Sequence, residues 1–418
     1  MKIIKGDEFN PLILKEGKEK EIDKIEKEVE EIIRLVKEKG DEALYELSLK
    51  FDNFDIRKNG LKISVPDKVE VSSDFASAID LMIKRVQNFY SHEYKNSWFY
   101  TENGSLLGQM LVPMERVLLY VPGGKASYPS TVVMGTIPAK IAGVKEIYIT
   151  TPPSKRDDKN LLYTLNKLGI KELYLLGGAH AIAAFSYGTY SVPKVDMIIG
   201  PGNLYVAIAK KKVFGDVNID GIFGPSEVCV WLKSEDIDID KVVCDFLAQL
   251  EHSPFDRGWL ILEEKRLNLV IEKIEDEVKK SLRRDILEKS IKNAYIIVEE
   301  REEKAIEIIN TIAPEHLEII DPNGERFLPY IKSAGAIFIN QSSIFGDFIA
   351  GPNHILPTGG SARFSSGLNV NMFLKRISFV KLTDEDKERL SYFGSIIARE
   401  EGFDMHEKSL KNYYKKGD

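Results

Sequence analysis

The sequence predicts an α/β protein built on parallel sheet, in more than one domain. Short apolar runs end in glycine- or proline-rich turns and pass into helix-like segments, from ERVLLYVPGG through KEIYITTPP and KELYLLGGAH to VDMIIGPGN and on to GPSE. Alternation of this kind puts helices on the faces of parallel strands, and ligands then sit beyond the carboxyl ends of those strands, where the turns lie. After GPSE, the run SEVCVWL, the helical DKVVCDFLAQLEH and the run GWLILEE repeat the pattern as a second α/β unit. A chain of 418 residues also exceeds what one hydrophobic core usually serves, so two or three domains are expected.

The elements follow in order. From Ile22 the apolar positions Ile25, Val29, Ile32, Ile33 and Val36 recur at helical spacing, and Gly40 follows as the cap. A second helix starts at Ser72-Ser73-Asp74 and turns Ile79, Met82, Ile83, Val86, Phe89 and Tyr90 inward. The βα repeats fill the middle. The segment from Lys265 to Leu287 is charged with helical periodicity, a solvated face, and the tail after Leu382 is helical again.

Composition narrows the function. A net charge of -7 offers no basic face for a phosphate backbone, which argues against nucleic acid and for a small ligand. Cys229 and Cys244 are too few for a disulfide framework and form no Cys-x-x-Cys pair, as fits a reducing cytoplasm. The first residues carry no apolar signal region, and nothing downstream approaches the roughly 18 apolar residues of a membrane span. A soluble, unprocessed, cytoplasmic chain is expected.

The six histidines are informative by position. His92 sits in an amphipathic helix and reads as structural. Gln249 and His252, at i and i+3 of one expected helix, share a face and can converge on one ion, or form a polar pair at a helix end. Asp347 and His354 bracket GDFIAGPNH, a loop read either as a site or as a capped turn. His406, with Glu401 just before it, sits in a charged tail where exposure is the default. Glu315 and His316 follow Ala313-Pro314, and their side chains leave the backbone in different directions, one suited to an alcohol and the other to a water; a surface carboxylate beside a half-buried ring is the alternative. GPGNLY keeps two glycines of the dinucleotide fingerprint but has Tyr205 in place of the third. Cys229 alternates with Val228 and Val230 in a strand and reads as core packing rather than as a nucleophile.

Taken together, KGDEALYELSLKFD, YVPGGKASYPS, GGAHAIAAFSYGT, SVPKVDMIIGPGN, GPSEV, LAQLEHSP, APEHLEI, GDFIAGPNHILPTGG and EEGFDMH resemble the histidinol dehydrogenase family, in the family's order and along nearly the whole chain. The resemblance implies two Rossmann-like α/β domains, one inserted in the other, with helical tails exchanged across a homodimer. The expected division is a tail at 1–19, a main domain at 20–115 and 226–368 with the zinc and catalytic residues, an inserted cofactor-side domain at 116–225, and a helical tail at 369–418.

The same resemblance implies one zinc per subunit on Gln249, His252, Asp347 and His406. It implies substrate contacts from Ser226, His316, His354 and Glu401 besides those ligands, and NAD contacts from Tyr120, His180 and Asn203. His316 is then the base and Glu315 the activator of water. The family's Gly-Gly-Ala-Gln reads Gly-Gly-Ala-His at 177–180, a ring of different shape that can charge. An alcohol carried to an acid needs two hydride acceptors and one water, so two NAD and no protein thiol suffice. A zinc hydrolase using Glu315 or His316 as proton shuttle is the rival, separated by NAD reduction on adding histidinol. A non-catalytic metal-stabilised binding protein would show zinc but no turnover.

Overall fold

The chain opens with β1 (Lys2–Lys5), α1 (Glu19–Lys39), α2 (Asp41–Asp52), α3 (Ile56–Asn59), β2 (Lys62–Ser64) and α4 (Ser73–Ser91). A hairpin follows, β3 (Trp98–Glu102) and β4 (Ser105–Pro113). The middle alternates β5 (Arg116–Tyr120), α5 (Pro129–Ala142), β6 (Glu146–Thr150), α6 (Lys159–Lys167), β7 (Glu172–Tyr174), α7 (Gly178–Tyr187), β8 (Met197–Ile199), α8 (Leu204–Val213) and β9 (Asn218–Ile219). A second alternation runs β10 (Glu227–Leu232), α9 (Ile239–Leu250), β11 (Arg257–Leu262), α10 (Leu267–Lys280), α11 (Arg284–Ser290), β12 (Tyr295–Val298), α12 (Glu302–Ile312), β13 (His316–Ile320), β14 (Ala336–Ile339) and α13 (Ile344–Phe348). Last come β15 (Leu374–Lys381), α14 (Asp384–Glu400) and α15 (Asp404–Lys411). The computed structural model describes residues 1–11, 19–93, 95–124, 127–234, 236–413.

Two six-stranded sheets carry this order. One reads β1-β12-β11-β10-β13-β14 and is parallel throughout. The other reads β2-β7-β6-β5-β8-β9 and is parallel except for β2. In each, the alternating part starts at a central strand, steps outward and returns to the other side, which leaves switch points between β10 and β13 and between β5 and β8. Every residue of β10 is buried, as expected of a parallel strand covered on both faces. The expected α/β class with Rossmann-like winding is what the chain adopts.

The caps explain where several helices begin and end. Ser72 accepts from the Phe75 N–H to start α4, and Gly40, at φ 56°, closes α1. Along α4, Ile79, Met82, Val86 and Tyr90 are buried as expected, but Phe89 is 42% exposed, and His92 is an exposed C-cap residue.

The partition differs from the expected one. β1, assigned to the tail at 1–19, pairs with β12 and belongs to the first sheet. α1 and α2, assigned to the main domain, bury Val29, Val36, Leu44 and Leu47 in one core with Leu118, Ile182 and Ile198 of the second sheet's half. Amphipathic helices can cover either sheet, so their apolar stripes alone do not choose between them. Both sheets lie in one compact unit, Met1–Glu93 with Met114–Phe373, while Tyr94–Pro113 and Leu374–Asp418 form the other. That second unit is an antiparallel sheet, β15-β4-β3, with α14 and α15; the tail at 369–418 therefore has a hairpin partner that its own residues do not reveal. Within it, the Ser105 hydroxyl donates to Asp386 at 2.6 Å near the start of α14. No helix among the described residues is long and apolar enough to cross a membrane.

Candidate active site

β10 and β13 are neighbours, with Val228 opposite His316, so GPSE and APEH meet at the amino edge of the first sheet. This is the reverse of the expected side: the turn GPSE precedes its strand rather than following it. His316, 2% exposed, opens β13. Its Nε2 lies 3.1 Å from Asp347 Oδ1, and its Nδ1 lies 3.2 Å from the Glu227 carbonyl and 3.7 Å from Glu315 Oε2. Glu315 in turn accepts from the Glu227 N–H at 2.9 Å, and the Glu227 carboxylate accepts from Gly359 N–H at 3.0 Å.

Asp347 was expected in a loop but stands on the short helix α13. Its Oδ2 accepts from Gln249 Nε2 at 2.7 Å, and the same nitrogen reaches Ser343 Oγ at 3.1 Å. An ionised carboxylate only accepts, so the amide nitrogen faces Asp347 and the amide oxygen is the end left for a cation. The Asp347 carbonyl is 2.8 Å from His354 Nδ1, whose Nε2 lies 3.4 Å from Thr131 Oγ1 in the first turn of α5. Asn353 Nδ2 donates to the Met134 carbonyl at 2.8 Å, so two adjacent loop residues tie this edge to the helix that follows β5.

Burial sets the charges. It pushes the Glu315 carboxyl up to about 8 and that of Glu227 to about 7. For His316, burial works against the charged ring, but the Glu315 and Asp347 carboxylates outweigh it and raise it to about 9. Burial also opposes ionisation of Asp347, yet the hydrogen bond and charge of His316 hold it below the usual carboxylate range. The result is a buried imidazole between two carboxyls, pushed toward its charged form by both, with Asp347 held toward its ionised form.

The second sheet presents its carboxyl edge. Tyr120 ends β5, His180 sits in the first turn of α7 after β7, and Asn203 follows β8 and caps α8 by accepting from Val206 N–H at 3.2 Å. Tyr120 Oη accepts from Gly178 N–H at 3.1 Å. Gly200 has φ 106°, and a Cβ there would stand 2.2 Å from the Tyr120 carbonyl, so only glycine lets this turn close on β5. His180 is 1% exposed, with its ring stacked 6.2 Å from that of Phe51. Asp52 Oδ2 is 3.6 Å from its Nε2, too far for a hydrogen bond, and burial pushes the imidazole down to about 4.

Of the expected residues, Glu315, His316, Gln249, Asp347 and His354 form one connected cluster. His252 lies beyond the end of α9 and is exposed, so it does not share a helical face with Gln249. Half-buried Ser226 donates its N–H to Asp256 at 3.1 Å. Glu401 and His406 lie in the second unit, exposed, at the C-cap of α14 and on α15. Among the described residues no group of three His, Cys, Asp or Glu converges as a metal site. Cys229 is wholly buried and its thiol is pushed up, consistent with core packing. Sequence reasoning missed Glu227, Glu318 and Ser343. A signal existed for Glu318: a carboxylate two residues from His316 in the apolar strand HLEII lies on the same strand face.

Two doubly wound sheets, one with a switch point at its carboxyl edge and the other with a buried imidazole–carboxyl cluster, define a doubly wound α/β protein with a candidate acid–base site. A family model described as histidinol dehydrogenase matches residues 15–413. A histidinol dehydrogenase of Carboxydothermus hydrogenoformans is 42% identical over 93% of both chains, and that of Thermotoga maritima 40% identical over 97% of both. The crystal structure of histidinol dehydrogenase from Elizabethkingia anophelis superposes with a TM-score of 0.84 at 31% identity, covering 95% of this chain and 93% of that one. The chain belongs to the histidinol dehydrogenase family.

Proposed function

We propose that the chain carries out the zinc-dependent, four-electron oxidation of L-histidinol through L-histidinal to L-histidine with two NAD, the last steps of histidine biosynthesis, in the cytoplasm. The observation that carries the reading is the buried His316 imidazole held between Asp347 and the Glu227 carbonyl with Glu315 beside it. His316, in its neutral form, accepts the alcohol proton as hydride leaves for the first NAD. Glu315, once ionised, takes a proton from the water that adds to the aldehyde carbon while His316 returns its proton to the aldehyde oxygen, and the hydrate then gives its hydride to the second NAD as His316 takes the proton of a hydrate hydroxyl. Ser226, His354 and Glu401 are assigned to the substrate.

The donor chemistry fits zinc at Gln249 and Asp347: both side chains are buried, in contact, and present an amide oxygen and a carboxylate. With His252 of the same chain and His406 of the partner subunit they would hold the ion, which would bind the substrate's nitrogens and supply no redox chemistry. That assignment makes the protein a homodimer with exchanged tails, Glu401 of the partner subunit included. For NAD, Tyr120, His180 and Asn203 stand at the carboxyl edge beside a switch point, where dinucleotides bind in such sheets. Of the three, Asn203 is exposed, whereas Tyr120 and His180 are buried and the His180 ring is stacked on Phe51. The test is absorbance of reduced cofactor on adding histidinol to zinc-loaded protein; two equivalents of NADH per histidinol are expected, and none would overturn the reading.

A further inference from the structure

Glu318 has no part in the reaction as written, yet it is fully buried two residues along β13 from His316, on the same face of the strand. One of its carboxyl oxygens accepts from the Ser343 N–H at 2.6 Å, and the other is buried without a hydrogen-bond partner. A buried carboxyl half unsatisfied is costly, and its retention calls for a role. Ser343 is itself wholly buried at the N-cap of α13. Its hydroxyl accepts from Gln249 Nε2 at 3.1 Å, while the same nitrogen donates to Asp347 at 2.7 Å. The links run in series: Glu318 to the Ser343 backbone, the Ser343 hydroxyl to the Gln249 amide, and that amide to Asp347.

We propose that Glu318 is a positioning residue: by holding Ser343 at the start of α13, it sets the Gln249 amide with its nitrogen toward Asp347 and its oxygen free for the metal. The inference rests on the zinc reading above. It concerns orientation, not charge, since what Ser343 N–H needs is an acceptor at that point. A free amide rotates by half a turn with little bias; an amide whose nitrogen has two fixed acceptors does not. Outer groups that orient a metal ligand typically change affinity by about 10- to 100-fold when removed.

The experiment is zinc affinity by chelator competition, with zinc alone as the probe, on wild type, Ser343→Ala, Glu318→Leu and Glu318→Gln, together with thermal unfolding and the KM for histidinol and for NAD. Ser343→Ala and Glu318→Leu are expected to bind zinc about 10-fold or more weakly. They are also expected to raise the KM for histidinol while leaving that for NAD unchanged. Glu318→Gln keeps an acceptor oxygen for Ser343 and is expected to stay within about threefold of wild type on the same scale. Ser343→Ala that folds and binds zinc as wild type does overturns the proposal, as does Glu318→Gln as weak as Glu318→Leu. If Glu318→Leu does not fold, Ser343→Ala and Glu318→Gln decide between the same outcomes. Wild type that oxidises histidinol without binding zinc overturns the metal reading and this inference with it, a pattern distinct from loss of the Glu318 effect alone.

Discussion

The adjacent residues Glu315 and His316 leave the backbone on opposite sides of a strand start and are assigned different protons. Glu315→Gln keeps the shape but cannot take a proton from water, so alcohol oxidation should persist while aldehyde oxidation slows by about 10²- to 10⁴-fold, the usual contribution of a general base. His316→Asn should impair both steps. Single-turnover NAD reduction with histidinol and, separately, histidinal reads the two; equal slowing of both steps by Glu315→Gln would refute the division. His180 makes a second prediction at this scale. Its folded-state imidazole is depressed to about 4, below the roughly 6.5 of an unfolded chain, so the unfolded state takes up the proton first. The stability from keeping the ring neutral is present above about pH 6.5 and lost as pH falls toward 4, about 3 kcal/mol in all. Unfolding by urea from pH 7 to 4 should therefore show a shallower acid loss in His180→Gln than in wild type. The same substitution tests the proposed contact with the cofactor through the KM for NAD, and an unchanged KM would remove His180 from the NAD site.

At the scale of elements, the turn from β8 to α8 is set by close approach. Gly200→Ala brings a Cβ within 2.2 Å of the Tyr120 carbonyl at φ 106°, whereas Gly215, at φ 109°, has nothing within 4 Å. Backbone strain alone, about 1–3 kcal/mol, is common to alanine at either position. Gly200→Ala should be the more destabilising in denaturant titration and should also raise the KM for NAD, because the end of β5 and the Asn203 cap move with it. Equal effects from the two alanines would show that the turn relaxes away from Tyr120. The turn's glycine was legible in GPGN; that its reason is contact with β5 was not, because β5 and β8 are separated by two complete βα steps along the chain.

For the whole molecule, the proposed metal and the exchanged tail carry the predictions. Chelation should abolish turnover and zinc restore it, and a purified His252→Ala protein with no metal and full turnover would refute the ligand set. Mixing inactive His252→Ala with inactive His406→Ala through unfolding and refolding should recover activity if His406 serves the partner's site, since one of the two sites in a mixed dimer then has both ligands intact. No recovery, with mixed dimers shown to form, would return His406 to its own subunit. Exposed Tyr392, Phe393, Ile397, Phe403 and Met405 on and beside α14 and α15 are apolar surface within the unit that bears His406.

By itself the sequence determined the local and the chemical. Spacing of apolar residues marked α1, α4 and the alternating strands; Ser72 and Gly40 marked helix ends; and nine motifs in order carried the family. These are properties of neighbours in the chain, where periodicity and cap chemistry act directly. Only the tertiary structure decided which sheet α1 and α2 cover, that β1 joins the first sheet, and that the β3–β4 hairpin pairs with β15. It also decided that the acid–base cluster stands at the amino edge of its sheet. Apolar stripes are interchangeable in water and β pairing is chosen by partners far apart in sequence, so the choice falls to packing of the whole. The same reason hid Ser343 and Glu318: their polar groups acquire meaning only when burial removes water and leaves Gln249 and Asp347 as the partners within reach.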